Sequence, residues 1–150
     1  MTGWRLGYCI FPKEWTSVMQ RIHQNFMISA GGFIQWAGIA ALTQAGDDVA
    51  AMRKIYDERR RYMLKRLTVM GFTIHVEPTG AFYVFADARR FCTDSYKEVF
   101  RIIEEIKVGV TPGIDFGSSG EGFLRFSYAN SLSNIEEGLN RLERYLSKHK

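Results

Sequence analysis

Residues 33–43 read FIQWAGIAALT and are apolar on nearly every side. A helix with no polar face needs cover around most of its circumference, and the neighbouring sequence supplies little. Residues 8–11 (YCIF) are apolar in succession, the pattern of a strand buried on both faces. No second strand lies close enough in sequence to pair with it. Pro12 suits the first turn of a helix. Trp15, Val18, Met19, Ile22 and Phe26 follow at helical spacing, until SAGG at 29–32 breaks the run. The opening third therefore predicts one strand and two apolar helices that require a sheet outside them.

From Gly46 the pattern changes. Asp47 or Asp48 can cap a long helix whose apolar stripe is Val49, Met52, Tyr56, Met63, Leu67 and Met70, closed by Gly71. Phe72, Ile74 and Val76 alternate with polar residues, and residues 81–86 (AFYVFA) form a second apolar run. Pro78, Thr79 and Gly80 lie between the two runs, which predicts a hairpin. Ser95 with Glu98, and Ser133 with Glu136, have capping-box spacing ahead of two more helices. The last of these presents Ile135, Leu139, Leu142 and Leu146 on one face. Short strands are predicted at 108–111 and 123–129. The order of elements fits an α+β layer, helices on a small and mainly antiparallel sheet. The predicted division is a remnant of a large domain over 1–45 and a small C-terminal domain over 46–150.

The 150 residues carry a formal net charge of +4, with 46% apolar and 24% charged residues, so the chain is globular in type and only weakly basic. Its two cysteines and three histidines show no spacing for a zinc site. No apolar run spans a bilayer and no leader is evident, so a cytoplasmic protein with reduced thiols is expected. The sequence has no nucleophile elbow, metalloprotease motif or phosphate-binding loop of the nucleotide-hydrolase type.

Two arginines stand out. Arg5 lies between Gly3 and Gly7, where small neighbours allow a ligand close to the backbone. A guanidinium there could pair with phosphate or simply end a strand in solvent. Arg125 sits within FLRFSY, among apolar and aromatic residues. A buried, unpaired charge costs roughly several kcal/mol. Two readings stay open: a pair with Glu121 or contact with water, and a guanidinium that awaits a carboxylate. The loop TPGIDFGSSGEG at 111–122 has four glycines, more than a hairpin needs, and reads as a binding loop or a surface loop. Arg59, Arg60, Arg61, Lys65 and Arg66 read as a solvated helix face rather than a nucleic-acid site, and His75 as an exposed histidine.

TGWRLGY at 2–8, PTGAFYVF at 78–85 and GIDFG followed by GEGFLRFSYANS near the end occur in one order along almost the whole chain. In this the chain resembles the C-terminal part of a class I aminotransferase, a fold-type I enzyme that depends on pyridoxal 5'-phosphate (PLP). The resemblance implies a small domain that closes over substrate, joined to a strand and two helices of a large α/β domain. It implies that Arg5 binds the cofactor phosphate, that Arg125 grips the substrate α-carboxylate and that Ser29 reaches the partner subunit's site. Gly80 is placed at the substrate by the same resemblance. It implies a homodimer acting on an amino acid and a 2-oxo acid; charge, hydropathy and motif spacing lead to no expectation of a nucleic-acid, membrane or metal partner. The Schiff-base lysine of the family lies a few residues ahead of TGWR. The chain is therefore expected to be cut short just after it, to carry no catalytic residue of its own and to be inactive alone. Two alternatives remain: another fold-type I PLP enzyme, such as a lyase or decarboxylase, and a non-catalytic oligomerisation or binding module.

Overall fold

The computed structural model describes residues 1–149 and divides into two compact units, Met1–Met52 and Arg53–Lys150. In the first unit a short 3-10 turn at Thr2–Trp4 leads into irregular chain. A second turn at Lys13–Trp15 runs into helix α1 (Thr16–Phe26), and α2 (Gly32–Thr43) follows. Pro12 stands at the entry to the second turn, where its missing N–H costs nothing. No strand forms at 8–11, and Tyr8 and Ile10 are exposed. A strand exists only when a neighbour takes its backbone hydrogen bonds, and none of the described residues does so here. Helix α2 departs from expectation in the same way. Gly38 is its only buried residue, and Phe33, Trp36, Ile39 and Leu42 are exposed. Gly38 is where the helix meets the Leu6 side chain, at a distance that leaves no room for a Cβ.

Helix α3 (Gly46–Met70) begins in the first unit and ends in the second. Asp47 and Asp48 lie inside its first turn rather than at the cap, where they complement the helix dipole. Its other end is as expected. Gly71 adopts φ 102°, its N–H donates to Thr68 O, and the Phe72 N–H donates to Leu67 O. These two bonds make a Schellman cap, and its apolar partners Leu67 and Phe72 are both core residues.

The second unit has the α+β architecture. Strands β1 (Tyr83–Asp87), β2 (Thr111–Pro112) and β3 (Phe123–Ser127) form one antiparallel sheet with β3 in the middle. The predicted hairpin is replaced by this longer-range pairing. Residues 72–76 contribute a single bridge, Thr73 to Asp87, and Val76 is exposed, while β1 pairs with β3 from Tyr83↔Ser127 to Asp87↔Phe123. The apolar alternation at 72–76 is real for Phe72 and Ile74, which pack in or against the core. It is too short a run to form a ladder.

One sheet face, with Val84, Ala86, Leu124 and Phe126, packs on Met63 and Leu67 of α3, on Val99 and Ile102 of α4 (Ser95–Ile106) and on α5 (Leu132–Lys148). Helix α5 contributes Ile135, Leu139, Leu142, Tyr145 and Leu146, the stripe its sequence predicts plus a tyrosine. The Tyr145 hydroxyl donates to buried Glu98 at 2.8 Å and so satisfies a carboxylate inside the core. Helix starts fall one or two residues from the predicted boxes. Asp94, not Ser95, caps α4 by accepting from the Lys97 N–H, and Ser131, not Ser133, caps α5 by accepting from the Asn134 N–H. Among the described residues, no helix is long and apolar enough to cross a membrane.

Ser95 is engaged with the long loop instead, its Oγ accepting from the Ile114 N–H at 3.4 Å. Glu121 Oε1 accepts from the Ser95 N–H and the Gly122 N–H, each at 2.7 Å, so the end of the long loop is tied to the start of α4. The Ser95 N–H, then that of Gly122, holds the Glu121 carboxyl below the ordinary carboxylate range. Its folded pKa therefore lies under the unfolded value of about 4.3. The contact contributes stability above that pH and loses it as pH falls through the lower folded value. Glu121→Gln is expected to lower the urea midpoint at neutral pH and to make the acid fall in stability shallower below about pH 4.3. An acid limb identical to that of the unaltered protein would show that Glu121 does not anchor the loop.

Candidate functional site

The face of the sheet opposite the core carries a cation among rings. Alternation along β3 sends Leu124 and Phe126 inward and leaves Phe123, Arg125 and Ser127 on the other side. Directly across from Arg125 stand Phe85 on β1 and Thr111 on β2. The Arg125 guanidinium packs over the rings of Tyr83, at 4.2 Å, and Phe116, at 4.8 Å, and its Nη2 donates to Thr111 Oγ1 at 3.2 Å. Both ring contacts are within cation–π range. The side chain is half-buried, and among the described residues no carboxylate pairs with it. Glu121, the nearest acidic residue in sequence, is occupied at the α4 N-terminus. That removes the ion-pair reading of Arg125 and leaves its positive charge available.

A second arginine at the rim behaves differently. Asp87 accepts from the backbone and side chain of Arg89 and pairs with His75 at 2.9 Å. Arg89, and after it His75, holds the Asp87 carboxyl well below the usual carboxylate range. Arg89 is thereby neutralised, with its guanidinium over the Phe123 ring at 5.4 Å. Much of the basic stretch on α3 is also paired. Arg60 and Arg61 pair with Asp57, Arg60 also with Glu77, and Arg66 bridges to Glu143 and Asn140 on α5. These contacts hold α3 to its neighbours and give three of the five cations structural partners.

The glycine-rich loop is ordered. It folds into two 3-10 turns, Gly113–Phe116 and Ser118–Gly120. Gly113 and Gly120 are buried against one another so closely that a Cβ on either would overlap the other's backbone. This crossing is what turns Phe116 back over Arg125. Phe116 carried no signal in the sequence beyond its place in a long loop between strands, and neither Tyr83 nor Thr111 stood out.

The other predicted residues lie elsewhere. Gly80 sits in the exposed turn that leads into β1, just before Ala81, whose φ is 54°. Buried Tyr128 steadies that turn, its hydroxyl donating to Ala81 O at 3.3 Å. Arg5 and Ser29 belong to the first unit, on separate irregular stretches, and both are exposed. Arg5 has φ 56°, and Ile28, next to Ser29, has φ 57°. Left-handed backbone costs a residue with a Cβ of order 1–3 kcal/mol and tends to occur at functional sites. Of the four such residues described, Arg5, Ile28 and Ala81 are or adjoin predicted site residues, and the fourth, Lys107, ends α4.

The second unit is thus an α+β domain that carries a guanidinium on an aromatic sheet face. Residues 1–142 match the family model for aminotransferase class I and II. The aspartate aminotransferase of Pyrococcus horikoshii is 39% identical over 152 residues, covering all of this chain and 39% of that protein. The (5-formylfuran-3-yl)methyl phosphate transaminase of Methanocaldococcus jannaschii is 38% identical over 149 residues, or 99% of this chain and 39% of that one. The crystal structure of an aromatic aminotransferase from Pyrococcus horikoshii superposes with a TM-score of 0.88 at 39% identity, over 99% of this chain and 40% of that chain. The chain belongs to the class I and II aminotransferase family and has the fold of that part of its fold-type I members. It spans about two-fifths of the length of these relatives.

The family implies PLP, and the residues present fit its anionic end. Arg5 offers an exposed guanidinium between two glycines, Gly3 and Gly7, around which the backbone is open. Every lysine among the described residues is exposed, whereas a Schiff-base lysine is typically held in an apolar pocket or beside another cation. Stoichiometric PLP followed by borohydride is therefore expected to leave the mass of this chain unchanged. A single-site pyridoxyl adduct in the mass spectrum would contradict this.

Proposed function

We propose that this chain supplies the substrate-carboxylate and cofactor-phosphate anchors of a PLP-dependent aminotransferase, which moves an amino group between an amino acid and a 2-oxo acid. The observation that carries this reading is Arg125, half-buried against two rings with no carboxylate partner among the described residues. A half-buried guanidinium so placed can be completed by a ligand anion. An amino acid and a 2-oxo acid share one feature, the α-carboxylate, and one arginine can serve both halves of a transfer.

In this reading residues 1–45 are the end of a large cofactor-holding domain and 46–150 the small domain. Arg125 receives the carboxylate as a bidentate pair and so fixes the α-carbon. Thr111 Oγ1 orients the guanidinium plane, and Tyr83 and Phe116 keep water from its faces. Gly80 leaves the approach beside β1 free of a side chain. Arg5 holds the cofactor phosphate, with Ser29 contributing across a homodimer interface. PLP, when bound, supplies the electron sink for the α-carbon. The enzyme is placed in the cytoplasm.

Lyases and decarboxylases use the same architecture, so the assay is transfer of the amino group. Arg125→Ala in the whole, PLP-loaded protein removes one member of a desolvated charge pair, about 2–5 kcal/mol. It is expected to reduce kcat/KM for transamination by roughly thirtyfold or more, chiefly through KM. An unchanged KM for the amino acid would remove the role assigned to Arg125.

A further inference from the structure

We propose that the ring wall of Phe116, Phe85 and Phe123 makes this chain select amino acids and 2-oxo acids with flat apolar side chains, aromatic ones above all. The inference rests on Arg125 as the carboxylate anchor and adds the substrate class. The rings form a continuous path away from the guanidinium. Phe116 packs on Arg125 and meets Phe85 edge to face, with centroids 5.8 Å apart at 85°. Phe85 in turn stacks on Phe123, with centroids 4.9 Å apart at 6°. All three lie on the open side of the sheet or in the loop above it. Phe116 keeps 52% and Phe85 39% of its surface exposed.

A molecule whose carboxylate sits on Arg125 brings its side chain into the same neighbourhood. An aromatic side chain can add a further ring to the series, with edge-to-face or offset geometry. A methyl group covers little of the exposed ring surface. A second carboxylate would be pressed against apolar carbon and lose its hydration. Arg89, which also contacts this wall, is already neutralised by Asp87.

Phe116 could instead serve only to prop Arg125, and kinetics separate the two roles. In the whole, PLP-loaded protein, kcat/KM is measured for phenylalanine, alanine and aspartate with one common 2-oxo acid acceptor. The unaltered protein is expected to prefer phenylalanine. Phe116→Ala is expected to lower kcat/KM for phenylalanine about tenfold more than for alanine, and Phe116→Leu to fall between. Equal losses for all three substrates would assign the ring to holding Arg125 and overturn the proposal, as would a preference for aspartate. Arg125→Ala run alongside keeps the two readings apart. If it raises KM for every substrate while Phe116→Ala acts equally on all, only the ring proposal falls. If it changes none of them, the anchor fails and the ring proposal with it.

Discussion

The positive charge of Arg125 on the middle strand is the constraint that organises the second unit's open face. A guanidinium half out of water needs partners for its faces and its edge. The rings of Tyr83 and Phe116 take the faces, and the Thr111 hydroxyl takes one N–H. None of these carries negative charge, so the stabilisation is partial and an anion would complete it. The surroundings keep it partial. Glu121 is committed to the backbone at the start of α4, and Asp87 to Arg89 and His75. These two carboxylates are thus held by local claims of their own.

The loop that delivers Phe116 depends on packing rather than on flexibility. The contact of Gly113 with Gly120 admits no side chain, and Glu121 fastens the loop's far end to α4. A loop built in this way presents a ring at a fixed height above the sheet, which a pocket wall requires. Residues with left-handed backbone adjoin or occupy the positions assigned to Gly80, Ser29 and Arg5. The molecule tolerates conformational cost at several points that the proposed reading assigns to substrate or cofactor.

Sequence and structure agree best where the interaction is local. The Gly71 cap, the apolar stripe of α5 and the membership of the core all follow from spacing that one helix can satisfy by itself. Agreement fails where the outcome depends on distant partners. The alternation at 72–76 looks like a strand, but β1 finds a longer partner in β3, forty residues away in register. Ser95 has capping-box spacing, yet its N–H is taken by Glu121 from another part of the chain. Residues 8–11 and helix α2 have buried-type sequences, and their own unit leaves them largely uncovered. Arg125 was legible as an anomaly because a charge interrupts an apolar strand. Tyr83, Thr111 and Phe116 were not, since ordinary residues become a site only when the sheet register and the loop bring them together.

The direct test of an available guanidinium is to watch it bind. In this chain, labelled with nitrogen-15, 3-phenylpropanoate is titrated and the side-chain Nε–H resonances of the arginines are followed by NMR. A saturable shift confined to Arg125, and absent in Arg125→Lys, is the result the account predicts. Equal small shifts at every exposed arginine, or none at Arg125, would contradict it.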